Sequence, residues 1–283
     1  MSSAPAQSSG RSPFAGCVIF IAAFLVMVFL VVFSTWTLFR QFNEIAKFTS
    51  GEQEMVPVVS VEGREREINA LSEKVEVFRQ RLAEHENAEM SLTPEEVNLA
   101  IALWEPFREL RGTFQVLKAE EGKLHIGISF PLNGKPRLAR DGEEGWMVSD
   151  PRYLQATMIA EPVMSQREVV LRLHDLVVPG AEVPRQFIEQ MSPYRITERY
   201  QADPDIGPLM AKLSRVEVRD GALSLIRVPG EGVKGSIDDE AVDAGRNKLF
   251  TVLGVAASLF LIVAGIIIFV GFRARSNGGR GRG

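Results

Sequence analysis

The chain predicts an α+β fold, an antiparallel sheet with a packed N-terminal helix, flanked by two transmembrane α-helices and a helical stalk. Three observations carry this expectation. Two charge-free apolar runs, Phe14 to Phe39 and Leu249 to Phe272, lie at opposite ends of the chain. Each exceeds the ~20 residues that cross a ~30 Å hydrocarbon core as a helix. Between them the apolar period changes from helical to alternating, and acidic-glycine pairs separate the alternating stretches, as hairpins require.

Residues 1–13 form a short tail before the first run, 14–39. A secretory signal has a shorter apolar core and a small-residue cleavage site. Here Ser34-Thr35-Trp36 leads into Phe39-Arg40, which favours an uncleaved span. Phe14-Ala15-Gly16-Cys17 imitates a lipoprotein box, but most of the apolar stretch follows the cysteine instead of preceding it. A small apolar cysteine inside a helix is the simpler reading. Basic flanks orient spans. Arg273, Arg275, Arg280 and Arg282 in the tail 273–283 outweigh Arg246 and Lys248 before the second run, 249–272. Both termini are therefore expected in the cytoplasm, although Arg11 against Arg40 and Lys47 points slightly the other way. The centre would face the exoplasmic side, the periplasm or the cell exterior. The tail arginines serve as topology determinants, with contact to anionic lipid head groups as the alternative.

All 36 acidic residues fall between Arg40 and Lys248, whereas Arg11 and the four tail arginines lie outside, so the centre is more acidic than the chain's net −4. Clustered positive charge, which nucleic-acid binding needs, is missing there, and no nucleic-acid partner is expected. The single cysteine, Cys17, excludes an intrachain disulfide.

Residues 40–90 are expected to be a charged helical stalk. Ile68, Leu71, Val75, Phe78 and Leu82 recur at helical spacing on one stripe. That stripe is the candidate interaction surface for a protein partner or a homodimeric coiled coil. It lasts only about two heptads where three or four make a coiled coil, and packing on its own domain is the competing reading. His85 ends the stripe.

The globular domain, 91–229, opens at Thr93-Pro94-Glu95-Glu96, a capping box with proline at the first helical position. Val97, Ile101 and Trp104, beside Ala100 and Phe107, give the helix its expected buried face. A strand through Phe114, Val116 and Ala119 turns at Glu120-Glu121-Gly122 into a second, Lys123 to Phe130, in which Leu124, Ile126, Ile128 and Phe130 alternate with His125, Gly127 and Ser129. Tyr153 to Ala160 and Glu168 to Val178 read as further strands, Pro184 to Met191 as a short helix. A last hairpin, Leu213 to Arg219 and Ala222 to Val228, turns at Asp220-Gly221 and echoes the first. Hairpin chemistry alone can produce that echo. Residues 230–248 are expected to be a flexible acidic linker.

Reactive constellations are sparse. Gly230-Glu231-Gly232-Val233-Lys234-Gly235 satisfies G-x-G-x-x-G, but a dinucleotide fingerprint must open a helix inside a βαβ unit, and only Ser236 to Lys248 follow before the second run. Asp238, Asp239, Glu240 and Asp243 lack an EF-hand pattern. His125 and His174 face away from the apolar alternation without a nucleophile or ligand motif beside them. No cofactor, metal or catalytic residue is expected, and the chain reads as a non-enzyme.

The helix Leu92-Thr93 through Glu96-Val97-Asn98, the segment Arg152-Tyr153-Leu154, the strand ending Leu176-Val177-Val178, the Pro184 helix and the hairpin from Val216 through Asp220-Gly221-Ala222-Leu223 resemble an uncharacterised family of membrane-anchored bacterial envelope proteins. The resemblance covers about half the chain, Leu92 to Ile226, and extends remotely to YpmS-like anchored domains. It implies an anchored α+β domain, and apolar ligands of the lipid kind. Two functions are expected in competition: a protein-interaction or scaffolding module of the envelope, and a carrier of an apolar ligand held between a curved sheet and the Thr93 helix. A membrane-tethered enzyme is third. Reporter fusions within Gly230 to Gly235 are expected to read an exoplasmic location; a cytoplasmic reading overturns this topology.

Overall fold

The structure is a computed structural model that describes residues 13 to 165 and 167 to 233. The second apolar run and the tail arginines Arg273, Arg275, Arg280 and Arg282 lie outside the described residues. Contacts divide the chain into two units, one containing the first apolar run to Arg40 and the other spanning Gln41–Asp238.

Helix α1 (Pro13–Ala46) contains the apolar run. Among the described residues it is the one helix long and apolar enough to cross a membrane. The qualifying stretch lies within Ala23–Ala46, and its most apolar window has a mean hydropathy of 2.0 and contains no buried residue. Membrane spans and signal sequences share these traits. Where the apolar run gives way to charge, the Arg40 guanidinium lies 5.9 Å from the centre of the Trp36 ring.

The larger unit is α+β. Where the sequence pattern predicts one antiparallel sheet, the strands divide between two. The first has the order β2-β3-β4-β5 and the second β1-β7-β6, with every pairing antiparallel. Their ranges are β1 (Ala88–Leu92), β2 (Phe114–Glu120), β3 (Lys123–Leu138), β4 (Met147–Ser165), β5 (Glu168–Val177), β6 (Arg215–Arg219) and β7 (Ala222–Arg227). Both expected hairpins form, and their likeness is one of turn chemistry. Glu121 and Gly122 have φ of 50° and 77°, Asp220 and Gly221 of 53° and 75°. Two successive positive values are the mark of the two-residue turn that matches strand twist. The two hairpins belong to different sheets.

Helix α3 (Pro94–Leu103) starts as its capping box dictates. Thr93 Oγ1 accepts from the Glu96 amide at 3.2 Å, and the Thr93 amide donates to Glu96 Oε2 at 2.9 Å. It buries two faces. Ile101 joins the core on the first sheet, while Leu99 and Ala100 join the core on the second, with Val97 touching both. Leu99, outside the expected face, is among the most buried residues of the chain. A 3₁₀ turn, Glu105–Leu110, then carries Phe107 onto Tyr200, edge to face at 5.3 Å.

The expected stalk is not a separate element among the described residues. α1 runs to Ala46, residues 47–64 are irregular, and α2 (Glu65–Ala83) packs beside β1. Leu71, Phe78 and Leu82 are 1%, 5% and 1% exposed, with Ile68 and Val75 half-buried beside them against Met90, Leu92 and Leu99. The stripe therefore faces its own domain. β1, with alternating burial and Met90 and Leu92 turned inward, supplies the apolar surface that the stripe needs.

The remaining elements close the edges. Helix α4 (Arg185–Met191) lies against β5, and α5 (Ile206–Met210) precedes β6. The stretch between them lines β5: Leu171 and Tyr194 exchange backbone hydrogen bonds at 2.9 and 2.8 Å, and Thr197 Oγ1 bridges the Val169 amide and carbonyl. Arg195 Nε donates to the buried Glu168 carboxylate at 2.6 Å. Because Phe78 fills the second core, Phe78→Ala is expected to cost about 3 kcal/mol in denaturant unfolding, whereas Val77→Ala, on the exposed side of α2, stays within about 0.5 kcal/mol.

Candidate functional site

β3 and β4 outrun their neighbours. β2 pairs with β3 only to Ile128, and β5 pairs with β4 only from Thr157. Beyond those points no other named strand joins them, and apart from a bridge between Tyr153 and Ser50 the two strands run paired with each other down to Leu138 opposite Met147. The result is a two-stranded arm. It is interrupted once, by an irregularity between Asn133 and Pro136. There Gly134 passes so close to β4 that a Cβ would lie 2.1 Å from the Asp150 carbonyl oxygen, which no side chain tolerates.

The apex of the arm is held by one side chain. Arg137 Nε and Nη2 donate to Asp150 Oδ1 at 2.9 and 2.7 Å, while Nη1 and Nη2 donate to the two oxygens of Glu143, each at 2.7 Å. The Arg140 amide adds a bond to Glu143 Oε2 at 2.7 Å, and the Ala139 amide reaches the Trp146 carbonyl at 3.2 Å. Forked pairing of this kind fixes orientation as well as charge. The Arg137 hydrogen bonds, followed by the Arg140 amide, hold Glu143 well below the usual carboxylate range, at about 2. Asp150 is lowered for the same reason, and Arg137 is raised by its two carboxylates, Glu143 first.

On this locked frame stand three apolar side chains in water. Leu138, Trp146 and Met147 are 74%, 75% and 48% exposed. Leu138 and Met147 are direct cross-strand partners, and Trp146 follows at the turn. Single exposed apolar residues are ordinary; three neighbouring ones at one apex make it the candidate contact surface.

The root of the arm grips the chain just after the apolar helix. Arg152 donates through Nη2 to the Ala46 carbonyl at 3.0 Å and through Nε to Thr49 Oγ1 at 2.6 Å, and also bonds the Thr49 carbonyl. Ser50 and Tyr153 exchange backbone bonds at 2.9 and 2.8 Å. Phe48 sits in the core against Phe187, edge to face at 4.9 Å.

Elsewhere the geometry offers less. His174 Nε2 lies 3.3 Å from Glu161 Oε2, which also accepts from Arg172, and His125 lies 3.2 Å from Glu120. Glu120 is lowered chiefly by its hydrogen bond to Lys118. His85 is exposed beyond α2. No group of three potential ligands is placed to hold a metal among the described residues. An open groove of about 820 Å³ lies between β5 and α4, with Leu173, Leu176 and Val183 as its floor and Asp175, Glu182 and Glu189 around it. The space between α3 and the first sheet, where a carrier would keep its ligand, is filled: Ile101, Ile126 and Met158 are 6%, 0% and 0% exposed and belong to one core.

The stripe Ile68, Leu71, Val75, Phe78 and Leu82 is thus brought together, but inside the domain. Gly230 follows β7 in a turn and the run stays irregular through Gly232 and Val233, whereas Lys234, Gly235 and the acidic residues Asp238 to Asp243 lie outside the described residues. The arm went unseen in the sequence because Pro131, Gly134 and Pro136 break the alternation. Its signal is the return of apolar residues at Leu138, Trp146 and Met147 on either side of a glycine-bearing turn. No protein-family model matches the chain, and no match was found among curated proteins or solved structures.

Because the Arg137 pairing depresses Glu143, the order it confers is complete above the ordinary carboxylate value of ~4.3 and is lost as pH falls towards 2. In Arg137→Ala the Glu143 carboxyl is expected to titrate well above its parent midpoint, with the Arg140 amide still lowering it, read by NMR; an unmoved midpoint removes Arg137 as the cause.

Proposed function

We propose that this chain is a membrane-anchored, non-enzymatic interaction module of a bacterial envelope, tethered at both ends of its folded domain and making contact through the apex of the β3–β4 arm. In this reading α1 is an uncleaved span and the run 249–272 a second one, with both termini cytoplasmic and the domain exoplasmic. The observation that carries the proposal is the pair Leu138 and Trp146, three-quarters exposed on an apex whose backbone Arg137 fixes. A rigid contact element loses little conformational freedom when it binds. The filled core between α3 and the first sheet leaves no room there for a carried ligand.

Cysteine accessibility tests this. In a Cys17→Ser background, Leu138→Cys at the apex and Lys118→Cys, near the opposite end of β3, are labelled with maleimide in opened native membranes. The apex is expected to react several-fold more slowly than its exposure allows, relative to Lys118→Cys. Rates in proportion to exposure show an uncovered apex and sink the proposal.

A further inference from the structure

We infer that the arm apex docks into the interfacial layer of the membrane in which this chain is anchored. The inference rests on the reading that the apex is a contact element, and it names the partner as lipid.

The side chains suit that layer. Tryptophan concentrates at membrane–water interfaces, where its ring is buried and its N–H stays hydrated. Leu138 and Met147 add an apolar pair beside it. Part of the charge at the apex is matched, while Arg140, Asp141 and Glu144 stay exposed at the turn, where water and polar head groups solvate them. Arg137 spans Glu143 and Asp150 by forked bonds, so two carboxylates enter a drier environment paired instead of bare. Three amides of the tip are also engaged: Ala139 bonds the Trp146 carbonyl, Glu143 the Arg140 carbonyl, and Arg140 the Glu143 carboxylate.

Chain lengths bring the apex within reach. At 1.5 Å per residue, Ala46 follows Arg40, the first charge after the apolar run, by about 9 Å. At ~3.3 Å per residue, Trp146 is about 23 Å from Tyr153. Tyr153 and Arg152 are bonded to Ser50, Thr49 and Ala46. The arm is therefore rooted on the segment that emerges from the apolar helix. Covalent anchoring also changes what a small patch can do. Three side chains would hold a free protein weakly on a bilayer, but a tethered apex meets the surface as an intramolecular partner at high effective concentration.

The test uses the full chain in protein-free vesicles of phosphatidylcholine and phosphatidylglycerol. Spin labels on Leu138→Cys and Lys118→Cys, each with Cys17→Ser, are compared for collision with oxygen, which concentrates in lipid, and with a water-soluble nickel chelate. The Leu138 label is expected to favour oxygen and the Lys118 label the chelate. Trp146→Ser in the Leu138→Cys chain is expected to shift its label towards the chelate. Quenching of Trp146 by bromine-labelled lipid, read as the difference between the parent chain and Trp146→Phe, reports the same insertion with Leu138 in place. A Leu138 label as exposed to the chelate as the Lys118 label, with no Trp146 quenching, overturns the inference. If maleimide labelling is slow in native membranes while the apex stays aqueous in pure lipid, a protein covers it, and the lipid inference falls alone. Fast labelling together with an aqueous apex overturns both.

Discussion

Helix α3 is wedged between two sheets, and the fold depends on that sharing. A helix on a single sheet needs one apolar stripe. This one spends ten residues, Pro94–Leu103, on two cores, with Ile101 turned to the first sheet and Leu99 and Ala100 to the second. The capping box fixes where the helix starts, and so which residue meets which core. Lys74 of α2 reaches across to Glu96, the capping residue itself, and to the Ser91 carbonyl. The start of α3 thereby joins α2, β1 and both cores in one knot.

The arm and its root form the second organising feature. β4 runs from the apex at Met147 to Met164, which is fully buried in the core of the second sheet. One strand therefore links the exposed Trp146 end, the Arg152 grip on residues 46–49 and the interior of the domain. Residues 47–64, irregular as they are, follow a defined path: Ser50 pairs with Tyr153, the Val56 amide bonds the Gly112 carbonyl, and Gln155 bonds the Glu52 carbonyl. The charge that looked like a stalk in the sequence is largely the solvent side of this covering and of α2.

Local chemistry was legible and long-range partnership was not. Thr93-Pro94-Glu95-Glu96 reads as a helix start because its bonds close within four residues. Glu121-Gly122 and Asp220-Gly221 read as turns for the same reason. Ala88–Leu92 escaped notice because a five-residue strand without its own turn is recognised only by its partner, β7, well over a hundred residues away. The split into two sheets is likewise a property of pairing, which alternation does not encode. Leu99 was missed because a single-stripe helix has no use for it. Arg137 meets Asp150 thirteen positions along, a spacing set by the hairpin alone. The apolar, helical character of the α2 stripe is legible in the sequence, and so is packing on its own domain as one use for it, whereas its partner surface on β1 is not.

Asn98 has a wider consequence. β2 is an edge strand, and at Val116 its outward amide and carbonyl are both taken by the Asn98 side chain, at 2.8 and 2.7 Å. Open edges recruit strands from other chains. A single carboxamide on the shared helix thus doubles as a guard against intermolecular sheet growth. The helix that joins the two cores thereby also covers part of an open edge.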